Sequence, residues 1–200
     1  MSKFIVHTGT GVPLRRRDVD TDQIIPARFF TGVTRDGFAA GLFGDWRADP
    51  GFVLGLPCHK DATVLVAGDN FGSGSSREAA VWALYDSGFR VVIAPRFGDI
   101  FRANALVNGL LTVTASPRFV ELLWSAIERD PATEITVDLR RLQITAPGLR
   151  VPFTLDPAVR ERLLAGRDLI GMTLLHEPDI DAYERRRRPT PCTIRHRRRS

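Results

Sequence analysis

Residues 72–78, Gly-Ser-Gly-Ser-Ser-Arg-Glu, place two glycines, three serines and an arginine between an apolar run, ATVLVAG at 62–68, and an amphipathic one, AAVWALYDSG at 79–88. Gly72 and Gly74 can adopt backbone angles closed to other residues and let another group approach the main chain. The first turn of a following helix presents unpaired N–H groups and about half a positive charge, which favours an anion. Arg77 adds a planar, permanently charged fork suited to a carboxylate or a phosphate. The stretch is therefore read as an anion site whose occupant is a phosphate, a carboxylate or a serine oxygen that has lost its proton. The same residues also have a purely structural reading. Ser75-x-x-Glu78 spells a capping box, in which the serine oxygen accepts a helix N–H and the glutamate reaches back to the cap.

Known loop signatures narrow the choice. The stretch lacks the lysine of G-x-x-x-x-G-K-[ST], has Arg77 where the dinucleotide fingerprint needs its third glycine, and does not fit G-x-S-x-G. A phosphate-binding module cradled by Gly72, Gly74 and Arg77 remains an alternative, without a lysine or a metal-binding acid in register. His7, His59, His176 and His196 are scattered, and no H-E-x-x-H occurs. Two distant cysteines, Cys58 and Cys192, cannot furnish a zinc or iron-sulfur site. No metal ligand is assigned, and any metal chemistry has to reside on another chain. Upstream, the Asp-Val-Asp-Thr-Asp-Gln run at 18–23 reads first as turn chemistry around Asp20 and Asp22.

The elements around this loop give it a setting. The β-branched content of 62–68 predicts a buried strand, the spacing over 76–85 a helix, and RVVIAP at 90–95 a second strand, which together form a β-α-β unit with parallel strands. Helical patterns follow at GDIFRANALVNG and, after Pro117, at RFVELLWSAIERD. Beyond Pro131 the sequence predicts three short strands, EITVDL, LQIT and RVPFTL, the last two joined by an Ala-Pro-Gly turn. A helix then begins at the Asp156 cap and Pro157 and stops at Gly166. Residues 1–61 alternate short apolar pieces with turn residues and read as strands and loops with little long helix. The fold class is α/β, a mixed sheet flanked by helices.

Length and charge bound the rest. At 200 residues and 44% hydrophobic content, one domain is expected over residues 1–183. The formal net charge of +5 is concentrated in residues 184–200, which hold eight arginines and one glutamate, while the remainder carries 20 basic and 22 acidic residues. A mildly acidic body argues against a nucleic-acid-binding protein. The arginine-rich tail reads as a solvated, disordered end, open to nonspecific contacts. No window approaches the roughly 18 apolar residues of a membrane span, and the N-terminal apolar run is too short for a secretory signal. The chain is placed in the cytoplasm with free thiols.

Four stretches carry a resemblance: HTGTGVPLRRRDVDTDQIIPARFF, TRDGFAAGLFGDWR, VLVAGDNFGSGSSREAAVWALYDSGFRVVIAPRFGDIFRANALVNGLL and LHEPDIDAYE. They resemble the small-subunit family of 3-isopropylmalate dehydratase, aconitase-like isomerases of leucine biosynthesis. The resemblance implies a swivelling β/β/α domain that works with a large subunit bearing a four-iron four-sulfur cluster. The implied reaction dehydrates 2-isopropylmalate, a dicarboxylate, and rehydrates the alkene to 3-isopropylmalate. It makes Ser75 the general base, and Ser76 and Arg77 the holders of a substrate carboxylate. A helix N-terminus beside an arginine suits that role, because abstraction next to a carboxylate needs a strong base and a serine alkoxide needs positive surroundings. The resemblance also puts Thr21 and Asp22 near the active-site face, with Asp22 orienting the serine loop, and assigns substrate choice to the loop containing Phe30 and Thr31. Two departures stand out: Ala79 where the family has histidine, and Phe29-Phe30-Thr31-Gly32 where it has a cationic residue. They leave room for a paralogue acting on another malate-type diacid.

Overall fold

The computed structural model describes residues 2–29, 37–74 and 77–187. Its sheet is organised by one long strand that changes partners at its middle. β1 (Val6–Leu14) pairs antiparallel with β5 (Glu134–Asp138) from Val6 opposite Asp138 to Thr10 opposite Glu134, then parallel with β2 (Val64–Ala67) from Gly11 opposite Val64 to Leu14 opposite Ala67. Parallel pairing continues outward to β3 (Val91–Ala94) and β4 (Leu111–Thr114). Antiparallel pairing continues to β6 (Gln143–Ala146) and β7 (Leu149–Pro152). The result is a mixed sheet of seven strands in the order β4-β3-β2-β1-β5-β6-β7. The three late strands, the Pro147-Gly148 turn and the β-α-β unit all form where the sequence predicts them.

Helices α2 (Ala79–Asp86), α3 (Asp99–Val107) and α4 (Pro117–Arg129) follow β2, β3 and β4. Parallel strands between two helical layers must be apolar on both faces, and successive side chains serve opposite layers. Val64, Val66, Val91 and Ile93 pack with Val120, Leu123 and Ile127 of α4, whereas Leu65, Ala67, Val92 and Ala94 pack with Val81 and Leu84 of α2 and Phe101 of α3. Each fully buried Val, Leu or Ile contributes about 1.5–3 kcal/mol. Helix α4 starts on Ser116, whose oxygen accepts from Phe119 N at 3.3 Å, with Pro117 at its first position. Helix α5 (Pro157–Ala165) starts on Asp156, which accepts from Ala158 N and Val159 N at 2.9 and 3.1 Å.

Residues 15–61 depart from the expectation of further strands: none forms there among the described residues. The chain passes through α1 (Thr21–Ile24) and single 3-10 turns at Ala27–Phe29, Phe38–Gly41, Trp46–Ala48, Val53–Gly55 and Pro57–His59. Aromatic anchoring replaces a hydrogen-bond ladder. Phe43 stacks on Trp46 at 5.3 Å, and Phe52 meets both edge-on at 5.7 Å. Arg16 lies over Trp46 at 4.0 Å, and Arg15 pairs with Glu121 and Glu128 at 2.8 and 2.6 Å while covering Trp124. These two arginines brace the exit from β1.

The first compact unit closes at Asp168 and the second comprises residues 169–200, whereas the sequence predicts a boundary after residue 183. No side chain beyond Leu163 is buried among the described residues, which ends the core earlier. In the second unit α6 (Leu169–Thr173), a 3-10 turn at Leu174–His176 and α7 (Glu177–Arg186) follow one another, and α7 runs across residues 183 and 184. Glu177 and Asp179 in its first turn and Arg185 and Arg186 in its last oppose the helix dipole at both ends. The tail from 188 onward, Cys192 included, lies outside the described residues. Among the described residues no helix is long and apolar enough to cross a membrane.

Candidate active site

The loops leaving β1, β2 and β3 meet at the carboxyl ends of the parallel strands, where open α/β sheets bind their ligands. Main-chain hydrogen bonds zip the first two together: Gly72 N and Ser73 N donate to Val19 O at 2.7 and 3.1 Å, and Thr21 N donates to Ser73 O at 3.1 Å. Asp18 and Asn70, both with left-handed backbone (φ +52° and +60°), are tied by Asn70 Nδ2 donating to Asp18 Oδ1 at 2.8 Å. The third loop joins through Gly98 N to Phe71 O at 2.9 Å and Phe71 N to Arg96 O at 3.0 Å. Left-handed non-glycine residues gathered at one sheet edge are a feature of functional sites.

Gly72 is a point of close approach in this assembly. Its φ is +74°, and a Cβ there would stand 2.3 Å from Cγ of Phe101. Phe101 is held in turn by Phe71 edge-on at 5.4 Å and Phe97 at 6.4 Å. Gly74 is also left-handed, at φ +88°, with Asp20 Cβ at 3.5 Å from the place of its missing Cβ.

Facing the loop, α1 is only four residues long and owes its formation to its cap. Asp20 Oδ1 accepts from Gln23 N at 2.7 Å, and Gln23 Oε1 accepts from Asp20 N at 3.0 Å. This is a reciprocal capping box spelled D-x-x-Q, so Asp20 starts a helix where the sequence points first to a turn. Thr21 is buried. Asp22 Oδ1 forms an ion pair with Arg77 Nη1, so one residue from each motif, distant in the chain, stand together. Arg77 is the more enclosed partner, its side chain 30% exposed against 55% for Asp22.

Arg77, Thr21, Asp22, Gly72 and Gly74 are thus gathered at one edge. Ser75, Ser76, Phe30 and Thr31 lie outside the described residues. The capping box expected at Ser75-x-x-Glu78 turns on Ser75 and so lies outside the described residues; α2 begins at Ala79, directly after Glu78. Glu78 Oε1 accepts from Asn108 Nδ2 at 2.7 Å. Asn108, just past the end of α3, also receives Trp82 Nε1 at 3.2 Å. No sequence spacing signals this partner, because α3 reaches Glu78 only once β3 has paired with β2.

Elsewhere, His7 and His59 are both held below the ordinary imidazole value by burial. Arg90 adds to the effect at His7, whereas a backbone hydrogen bond at Gly11 opposes it at His59. A hollow of about 500 Å³ at the strand ends is lined by Arg15, Arg17, Asp69, Glu121 and Trp124, but by none of the described residues from 71 to 78. Its charges are mixed and Arg15 is already paired. Among the described residues no three His, Cys, Asp or Glu side chains could hold a metal ion, and Cys58 is exposed.

Comparison with known proteins converges on one family. The family model for the aconitase C-terminal domain matches residues 1–118, LeuD_N matches 121–157, and the model for the C-terminal domain of the 3-isopropylmalate dehydratase small subunit matches 170–191. The chain is 57% identical to the 3-isopropylmalate dehydratase small subunit of Salinispora tropica, over 97% of this chain and all of that one. It is 57% identical to that of Streptomyces coelicolor, over 94% and 95%. The crystal structure of 3-isopropylmalate dehydratase from Methanocaldococcus jannaschii superposes with a TM-score of 0.64 at 26% identity, covering 90% of this chain and 99% of that one. With the mixed α/β sheet and the loop set at its parallel edge, these matches establish that the chain belongs to the family of 3-isopropylmalate dehydratase small subunits, within the aconitase superfamily.

Proposed function

We propose that this chain is the small subunit of a cytoplasmic hydro-lyase that interconverts 2-isopropylmalate and 3-isopropylmalate in leucine biosynthesis. The enzyme is completed by a separate large subunit, which holds its iron-sulfur cluster. Two cysteines in the whole sequence do not fit a cluster, which takes three or four thiolates, and no step is assigned to metal on this chain. Ser75 is the general base. Its oxygen takes the carbon-bound proton next to a carboxylate during dehydration and returns a proton during rehydration. Ser76 and Arg77 hold that carboxylate, and departure of the hydroxyl falls to the partner chain.

The observation that carries this reading is the Asp22–Arg77 pair at the foot of α2. A guanidinium turned by Asp22 presents an oriented fork, so a substrate carboxylate binds without first ordering the side chain. Gly72 and Gly74 let the main chain between them approach the reacting group. Phe30 and Thr31 provide no charge beside the variable arm of the substrate, which suits an alkyl group better than a third carboxylate.

The test is a pair of substitutions assayed in the complex with an anaerobically prepared large subunit. Ser75→Ala should depress kcat by orders of magnitude with little change in KM. Arg77→Lys should mainly raise KM, since a point charge replaces a bidentate fork. If Ser75 served only as a helix cap, Ser75→Ala would cost about 1 kcal/mol of stability and leave turnover unchanged, which would refute the assignment.

A further inference from the structure

The loop from 72 to 78 is tied down at both ends, and the two ties differ. On its entry side, Gly72 and Ser73 are held by main-chain bonds to Val19 and Thr21. On its exit side the described contacts include a side chain: Glu78 Oε1 accepts from Asn108 Nδ2 at 2.7 Å. Asn108 is itself immobilised. Its second Nδ2 hydrogen goes to Asn104 O at 2.9 Å, its Oδ1 receives Trp82 Nε1 at 3.2 Å, and its own N–H closes the last turn of α3 on Asn104 O at 3.0 Å. Past it, Leu110 N bonds back to Ala105 O at 2.9 Å with Gly109 at φ +83°, a Schellman ending that fixes the main chain at Asn108. Both donors and the carbonyl of the Asn108 amide are engaged, and Glu78, Trp82 and Asn108 are all half-buried. Hydrogen bonds to a carboxylate in such surroundings are strong and sensitive to a change of partner.

We propose that Asn108 is a positioning residue for the proposed catalytic loop, acting through Glu78 to set where Ser75, Ser76 and Arg77 sit at the start of α2. This inference rests on the assignment of Ser75 as base. The donor of the pair sits at the end of α3 and the acceptor directly follows Arg77, so loss of the bond removes one restraint on the exit of the loop, beside the Asp22–Arg77 pair, while the entry bonds to Val19 remain. A displacement of about 1 Å at a reacting group costs up to about 100-fold in rate, so a remote amide can have a large effect without touching substrate.

The experiment reverses the polarity of the pair in the assembled enzyme. Asn108→Asp sets a second carboxylate against Glu78 and should lower kcat/KM for 2-isopropylmalate about 10- to 100-fold. Adding Glu78→Gln restores a donor facing an acceptor and should recover most of that loss. A role confined to ending α3 would not respond to a change at residue 78. Amide hydrogen exchange over 72–79 in the full chain is the second readout, which does not require assembly: faster in Asn108→Asp, close to wild type in the double variant. Ser75→Ala is run alongside. If Ser75→Ala abolishes turnover while Asn108→Asp leaves kcat/KM and exchange unchanged, the positioning role alone is wrong. If the double variant is no better than Asn108→Asp in either readout, the role is also wrong. If Ser75→Ala retains turnover, the base assignment fails independently of what Asn108 does.

Discussion

Gly72→Ala separates a steric requirement from a backbone one. Gly72 and Gly148 have nearly the same φ, +74° and +70°, but a Cβ at Gly148 meets nothing within 4 Å, whereas one at Gly72 would lie 2.3, 2.6 and 2.7 Å from three atoms of Phe101. Forcing alanine into the left-handed region costs about 1–2 kcal/mol at either position. At Gly72 the clash adds about 1–3 kcal/mol of overpacking, because Phe101 is buried between Phe71 and Phe97 and has no free direction to yield. Gly72→Ala should therefore destabilise by about 2–5 kcal/mol and Gly148→Ala by about 1–2 kcal/mol in urea unfolding of the full chain. Phe101→Leu added to Gly72→Ala should recover part of the difference. In the assembled enzyme only the Gly72 variant should lose turnover, since its loop leads directly to the proposed base while Gly148 turns a hairpin at the far edge of the sheet. Equal losses of stability at the two glycines would refute the close approach of the loop to α3 on which the site geometry depends.

Other expectations follow from particular residues. The isolated chain should show no iron-sulfur absorbance and no isomerase activity, both appearing only with a large subunit; either one from this chain alone would overturn the division of labour. Asp22→Asn should raise KM clearly while changing stability by at most about 1 kcal/mol, as expected of a partly exposed pair; an unchanged KM measured in the complex would remove Asp22 from the site. Wild-type enzyme should prefer isopropylmalate to methylmalate and to homocitrate-type tricarboxylates, and Thr31→Arg should shift preference toward the tricarboxylate; an unmoved ratio would show that residue 31 does not face the substrate arm. His7 and His59 have folded pKa values below the ordinary imidazole value, so the unfolded chain takes up protons first as pH falls through about 6.5. Stability is then full above that pH and declines below it. Melting temperatures should drop between about pH 7.5 and 5.5, and His59→Gln should flatten the slope; a constant melting temperature for the wild-type chain would contradict this.

Elements whose causes are local are legible in the sequence alone. Pro117 after Ser116, Pro157 after Asp156, the β-branched runs in β2 and β3 and the Pro147-Gly148 turn all act within a few residues, and the structure places α4, α5, the parallel strands and the hairpin accordingly. The site motif is legible as residue types: Gly72, Gly74 and Arg77 before a helix, and Thr21 with Asp22 in a second motif. D-x-x-Q at residues 20–23 is equally local and spells a cap as well as a turn. What these residues meet is a matter of tertiary structure. Asp22 reaches Arg77 because β1 and β2 pair in parallel and release their loops at the same edge. Glu78 meets Asn108 because the end of α3 brings an amide donor to it once β3 has paired with β2. The described residues of 15–61 form no strand and are anchored by Phe43, Trp46 and Phe52 packed on one another. β1 divides its partners between two sheet halves, with Gly11 at the changeover, where a Cβ would stand 2.7 Å from Ile127 and 2.9 Å from Ile135. Each of these depends on contacts between residues far apart in the chain, and short-range periodicity holds no information about which distant surface will cover it.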